Sequence, residues 1–251
     1  MSRVKHNALH TFAAGANIAK STNGATSVPF IHPVQQGWKV VYEDFNGPSL
    51  YSADTADIWQ FTAITAGTTA VSTGGVLFDN AADADNAGAA LAHETATIIP
   101  AANTKKLYLE VSATVTAATM ASTEFFLGVA ADQTTTIANF VAADGLSWTV
   151  DDCFGIGKLD AETNVSAIMR QSDVEQTISF GSNPTTATRH TWSLYYDGAT
   201  YHVYKDGALI GSSAKTVFNN DAAMCITAFM RSGAGETQNL LAQYILFAYE
   251  I

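Results

Sequence analysis

Oxygen ligands are the most concentrated chemistry in this chain. The stretch DNAADADNAG brings Asp79, Asp83, Asp85 and Asn86 close together, and hard cations such as calcium are held by carboxylate and carbonyl oxygens of this kind. The stretch lacks the Asp-x-Asp-x-Asp-Gly spacing and closing Glu of a dedicated calcium loop, so a solvated loop is the expectation. Glu110, within KKLYLEVSATV, reads as an outward-facing strand residue. Trp148 with Asp151 and Asp152, and further on Tyr195 and Tyr204, would offer aromatic faces to sugar rings beside polar groups. The plainer reading of Asp151 and Asp152 is a turn between strands.

Spacing argues against other chemistries. The histidines His6, His10, His32, His93, His190 and His202 form neither H-E-x-x-H nor a metal-spaced pair with cysteine. Cys153 and Cys225 lie in the apolar runs CFGIG and AMCITAFM, where a buried reduced thiol is the commoner outcome and a disulfide between the two the alternative. No G-x-S-x-G elbow is present. Gly74 and Gly75 lead into VLFD, a strand and not the helix that a phosphate cradle needs. The sequence therefore predicts no catalytic residue, no metal and no cofactor.

The elements that must position these groups are strands. In RHTWSLYYDGATYHVYKDGALIGS, residues 189–212, Trp192, Leu194 and Tyr196 alternate with Thr191, Ser193 and Tyr195, the period-2 pattern of a half-buried strand. Asp197-Gly198 breaks the run, and Asp206-Gly207 supplies a tight hairpin signal after the strand of Tyr201 and Val203. In KKLYLEVSATVTA, Leu107, Leu109, Val111, Ala113 and Val115 share one face. The closing LLAQYILFAYEI is apolar on both faces and predicts a central strand covered on both sides. About fourteen such runs, with turn residues between them and no long helix, specify an all-β, two-sheet antiparallel jelly-roll sandwich over residues 38–251. One stretch, residues 132–145, reads as a short helix or an irregular loop.

Composition narrows the function classes. Charged residues make up 14% of the chain and the net charge is −11, so no basic stripe for nucleic acid exists. No run is long and apolar enough for a membrane helix, and the first residues lack a signal peptide's apolar stretch, so synthesis in a cytoplasm is expected. Residues 1–37 are dominated by small and polar side chains without periodicity and read as an extended arm. Its anchors would be Phe12, Ile18, Phe30 and Ile31, with Arg3, Lys5 and Lys20 as cations for an acidic partner. A surface poor in ions suits protein contact, because uncharged polar groups cost less to desolvate.

Glu43-Asp44-Phe45-Asn46-Gly47, an early Trp strand, W-x-x-x-Y-D-G and the following Y-x-D-G resemble the concanavalin A-like lectin and laminin-G group of jelly rolls from about residue 37 onward. That resemblance implies the fold firmly and the function weakly, since the group holds lectins, glycosidases and viral structural proteins. Its glycosidases carry E-x-D-x-x-E on one strand, whereas here Glu110 is followed by Ser112, Thr114 and Val115. On that ground the chain is expected not to be an enzyme. The middle of the chain is also similar to virion structural proteins of tailed bacteriophages. This second resemblance implies a capsid decoration or cement protein on the virion surface, with the major capsid protein and neighbouring copies of itself as partners and a homo-oligomeric arrangement. The alternative is a lectin-like carbohydrate-binding module with surface glycan as ligand.

Overall fold

Alternating apolar residues become strands because a pleated backbone sends successive side chains to opposite faces. The computed structural model describes residues 38–45, 59–65, 67–72, 74–80, 86–93, 105–117, 119–131, 140–217, 223–233 and 235–250. Within them lie fifteen strands: β1 (Trp38–Glu43), β2 (Trp59–Ile64), β3 (Thr68–Ser72), β4 (Gly75–Asp79), β5 (Gly88–His93), β6 (Leu107–Ala117), β7 (Thr123–Ala131), β8 (Cys153–Lys158), β9 (Ser166–Gln171), β10 (Val174–Ser179), β11 (Thr188–Tyr196), β12 (Thr200–Lys205), β13 (Ala208–Ala214), β14 (Met224–Ser232) and β15 (Gln238–Glu250). The front sheet has the order β13-β12-β11-β6-β15-β4-β3, with β1 also pairing β15. The back sheet runs β10-β9-β8-β7-β14-β5-β2. This is the jelly-roll sandwich expected from the sequence.

The core lies between the sheets. Leu107, Leu109, Val111, Ala113 and Val115 are all buried there, as are Trp192, Leu194 and Tyr196. Each large side chain so buried contributes about 1.5–3 kcal/mol of transfer free energy. The β12–β13 hairpin turns through Asp206 (φ 50°) and Gly207 (φ 83°), the double positive φ that a two-residue turn needs to follow strand twist. Asp206 also accepts a hydrogen bond from the Thr191 amide and so ties the hairpin to β11. At the sandwich edge, Gln176 of β10 donates to Ser213 Oγ and the Ala214 carbonyl of β13. Its Oε1 accepts from the Thr216 and Val217 amides. One buried amide thus clasps the two edge strands.

The outer face of the back sheet is roofed. Phe140, Val141, Trp148 and Val150 pack over Phe126, Ala130, Ile168 and Phe229 as a second core. Gly155 makes this packing feasible, since a Cβ there would overlap the Phe126 ring. Arg231 pins the roof by bonding the Ala142 carbonyl at 2.7 Å while pairing with buried Glu124 at 2.6 Å. Burial pushes the Glu124 carboxyl above its usual range, and the Arg231 guanidinium opposes that shift. Of residues 132–145, expected as a short helix or an irregular loop, residues 140–145 take the loop form, and residues 132–139 lie outside the described residues.

Both cysteines are free and buried in this second core. The register explains why they do not pair: Ala130 of β7 opposes Cys153 on one side and Cys225 on the other. Two strand spacings of roughly 4.8 Å separate them, beyond the ~7 Å limit for a disulfide. The closing strand β15 is central, as expected, but among the described residues it is covered on one side only. Leu241, Tyr244, Leu246 and Glu250 on its outer face remain partly exposed.

Candidate functional site

The outer face of the front sheet is where polar groups converge without a roof among the described residues. Its one apolar cluster, Tyr108, Tyr195, Tyr204 and Ala248 with Trp38, Val40, Leu209 and Leu246 alongside, consists of front-sheet side chains. Strand register lays the face out as a grid. One row reads Tyr204, Ser193, Glu110, Leu246 and Tyr42 across β12, β11, β6, β15 and β1. The next row reads His202, Tyr195, Tyr108, Ala248 and Val40. On the other side of Glu110, Thr191 and Tyr244 flank Ser112, and beyond them Arg189 lies opposite Thr114.

Glu110 is the hub. Its Oε2 accepts from Tyr108 Oη at 2.5 Å and Ser193 Oγ at 3.2 Å, and its Oε1 accepts from Tyr244 Oη at 2.7 Å. A carboxylate has about four acceptor sites, so three hydroxyl donors hold it in one orientation and leave it able to take one more. The hydroxyls pay for this in acidity. Burial, followed by the Glu110 charge, raises the Tyr108 phenol well above the ordinary range and raises Tyr244 likewise. Both rings therefore remain donors at neutral pH.

Around this hub sit an aromatic face and a cation. Tyr42 is 41% exposed, and its ring lies 5.8 Å from that of Tyr244. Arg189 is exposed and donates from Nε to Ser112 Oγ at 2.8 Å. Gln243 joins Ser112 to Thr114 by accepting from one hydroxyl and donating to the other. The array thus presents a stacking ring, an acceptor, a guanidinium and a row of hydroxyls on one rigid sheet.

The residues singled out in the sequence fall on both sides of the sandwich. Tyr195 and Tyr204 lie on the front face beside Tyr108 but are buried, at 8% and 3% exposure. Burial and then the Asp197 charge push the Tyr195 phenol up to about 12. Trp148 is not an exposed platform: it is roof, 3% exposed and packed on Phe126 and Phe140. Asp151 and Asp152 form the bend before β8, where the Asp152 carbonyl accepts from the Ala131 amide. The turn reading of that pair is the one the structure bears out. Glu110 faces outward as expected.

Of the acidic stretch, Asp83 and Asp85 lie outside the described residues, and Asp79 and Asn86 bound it. No group of three or more metal-binding side chains occurs among the described residues. The arm residues Arg3, Lys5, Phe12, Ile18, Lys20, Phe30 and Ile31 also lie outside them. No helix among the described residues is long and apolar enough to cross a membrane. Tyr42, Tyr108, Arg189, Ser193 and Tyr244 were not singled out from sequence. Their one signal is shared parity along strands, and it becomes a site only through pairing across separations such as the 83 residues between Glu110 and Ser193.

No family model and no curated protein matches the sequence. Solved structures do match the fold. An endo-1,3-β-glucanase from Streptomyces sioyaensis is 14% identical with a TM-score of 0.56, covering 89% of this chain and 99% of its own. The laminarinase catalytic domain of Thermotoga maritima is 13% identical with a TM-score of 0.55, covering 86% and 99%. The carbohydrate recognition domain of Emp47p is 11% identical with a TM-score of 0.55, covering 83% and 94%. These likenesses establish a concanavalin A-like jelly roll. They also overturn the expectation that the chain is not an enzyme, since structures with this fold over nearly their whole length are glucanases. They lend no support to a capsid role.

Proposed function

We propose that this protein recognises carbohydrate on the outer face of the front sheet. The observation that carries the reading is Glu110, oriented by Tyr108, Ser193 and Tyr244 beside the exposed ring of Tyr42. A sugar ring stacks its C–H face on an aromatic ring and offers hydroxyls to a fixed acceptor, and this array holds both on one rigid element. The solved structures of this fold that are named as glucanases and as a carbohydrate recognition domain support it. The capsid-decoration reading, which rests on the resemblance of the middle of the chain and on an arm outside the described residues, gains nothing from those structures.

Affinity electrophoresis and calorimetry with a panel of neutral and acidic polysaccharides, beginning with a β-1,3-glucan, test the proposal. Binding by the wild type, weakened about tenfold or more in Tyr42→Ala and in Glu110→Gln, is the expected result; about 1.4 kcal/mol corresponds to each factor of ten. Failure of the wild type to bind any polysaccharide in the panel overturns it. Reducing ends counted in the same mixtures report whether bound glycan is also cleaved.

A further inference from the structure

We infer that the sugar bound at this face is acidic, with its carboxylate held by Arg189; this inference rests on the glycan reading above. In a chain with 12 Lys and Arg against 23 Asp and Glu, cations are scarce and carboxylates compete for them. Arg189 is nevertheless exposed and forms no ion pair among the described residues. Its Nε is spent on Ser112 Oγ. That bond draws the side chain from the Thr114 row towards the Ser112 row, in which Tyr244 also lies. The guanidinium charge acts on the hydroxyls of both Tyr42 and Tyr244, so it stands within the same array as the stacking ring.

The nearest anion of that array does not consume it. Among the described residues Glu110 takes three hydrogen bonds from hydroxyls and none from Arg189. Arg189 is exposed and the only hydrogen bond of its side chain among the described residues is from Nε, which leaves the two terminal nitrogens for a ligand, and a guanidinium matches a carboxylate through two parallel hydrogen bonds. A glycan stacked on Tyr42 and running across β15 and β6 towards β11 would bring the carboxylate of a further uronate to Arg189 and leave hydroxyls for Glu110 and the Gln243–Thr114 pair. The chain's net charge of −11 opposes a polyanion only at long range, and at physiological ionic strength charges beyond about 8 Å are largely screened.

Calorimetry of the full chain with polygalacturonate, polymannuronate and the methyl ester of each tests this, because esterification removes the charge and keeps the backbone. The free acid should bind about tenfold more tightly than its ester, a charge-assisted hydrogen bond being worth roughly that factor. Arg189→Gln should abolish the preference, and Arg189→Lys, which keeps charge without the fork, should restore part of it. Equal binding of acid and ester by the wild type, or an unchanged preference in Arg189→Gln, overturns the inference while leaving the glycan reading intact. A sulfated glucan preferred over both polyuronates overturns the carboxylate assignment. Binding to no polysaccharide at all removes both readings.

Discussion

Lys158 gives the sharpest test of the electrostatics. Its side chain is fully buried, and its ammonium donates to the carbonyls of Ala121 (2.6 Å), Thr123 (3.1 Å) and Leu159 (2.9 Å). Desolvation lowers its pKa from 10.5 to about 8, against the opposing pull of Glu162, Asp160 and Glu124. Between these two values the unfolded chain holds a proton that the folded chain has released, so unfolding free energy rises with pH there and is flat below about 8. At about 1.4 kcal/mol per unit, the gain from pH 8 to about pH 10 is on the order of 2.5 kcal/mol. Lys158→Met removes the titration. It also removes a donor from three carbonyls, of which those of Ala121 and Leu159 keep the Ala161 and Glu162 amides, so the loss falls mainly on the Thr123 carbonyl, at roughly 1–3 kcal/mol, and offsets most of the relief from charge burial.

Urea unfolding of both proteins, followed by tryptophan fluorescence over this pH range, reads the effect as a difference. The raised phenols of Tyr108, Tyr201 and Tyr244 work the other way at the alkaline end, because the unfolded chain loses those protons first, but they are common to both proteins and cancel. Near-equal stability at neutral pH is expected, with the wild type pulling ahead as pH rises. A difference that stays constant within about 0.5 kcal/mol across the range would refute the reasoning, since a buried ammonium of lowered pKa cannot be silent there.

Two further outcomes follow from packing. Gln176→Ala removes four hydrogen bonds and leaves the buried Val217 amide without its acceptor, at a cost of about 2–4 kcal/mol; calorimetric melting should fall by roughly 6–12 °C, and hydrogen exchange should accelerate at Thr216 and Val217. Gly155→Ala puts a methyl group into the Phe126 ring, so an overpacking cost of about 1–3 kcal/mol is expected; an unchanged urea midpoint would show that the roof over the back sheet yields without strain.

The fold was legible because burial acts on local pattern. The face holding Leu107, Leu109 and Val111 is a property of consecutive residues, and so is the Asp206-Gly207 turn. Trp148 shows the limit of that logic. Beside two aspartates it reads as a sugar platform, yet Gly157 of β8 leaves room for its ring, and burying that ring outweighs keeping it in water. The closing strand β15 misled in the same manner. Its outer Leu246 and Ala248 are apolar as members of a tyrosine-rich cluster within one sheet, and apolar parity alone does not tell a covered face from such a cluster. Glu110 was visible as an outward residue, but its three partners come from β6, β11 and β15, and register between distant strands is not written in any one of them.

Low charge content takes on a different meaning once the face is laid out. With 14% charged residues, a surface of Thr, Ser and Tyr reads from sequence as one suited to protein contact, since such groups desolvate at modest cost. The same argument holds for sugar, whose hydroxyls exchange water for protein hydroxyls almost evenly and gain specificity from the few groups held in fixed positions. On the front face those groups are distinguishable by what each would do. Tyr42 offers area, Glu110 an oriented acceptor and Arg189 a cation in no ion pair among the described residues. A protein partner would need about 800 Å² of complementary surface to bind stably, whereas a short glycan needs only the strand rows from Glu110 to Thr114. The composition therefore fits both partners, and it is the concentration of fixed polar groups around one carboxylate that favours the smaller one.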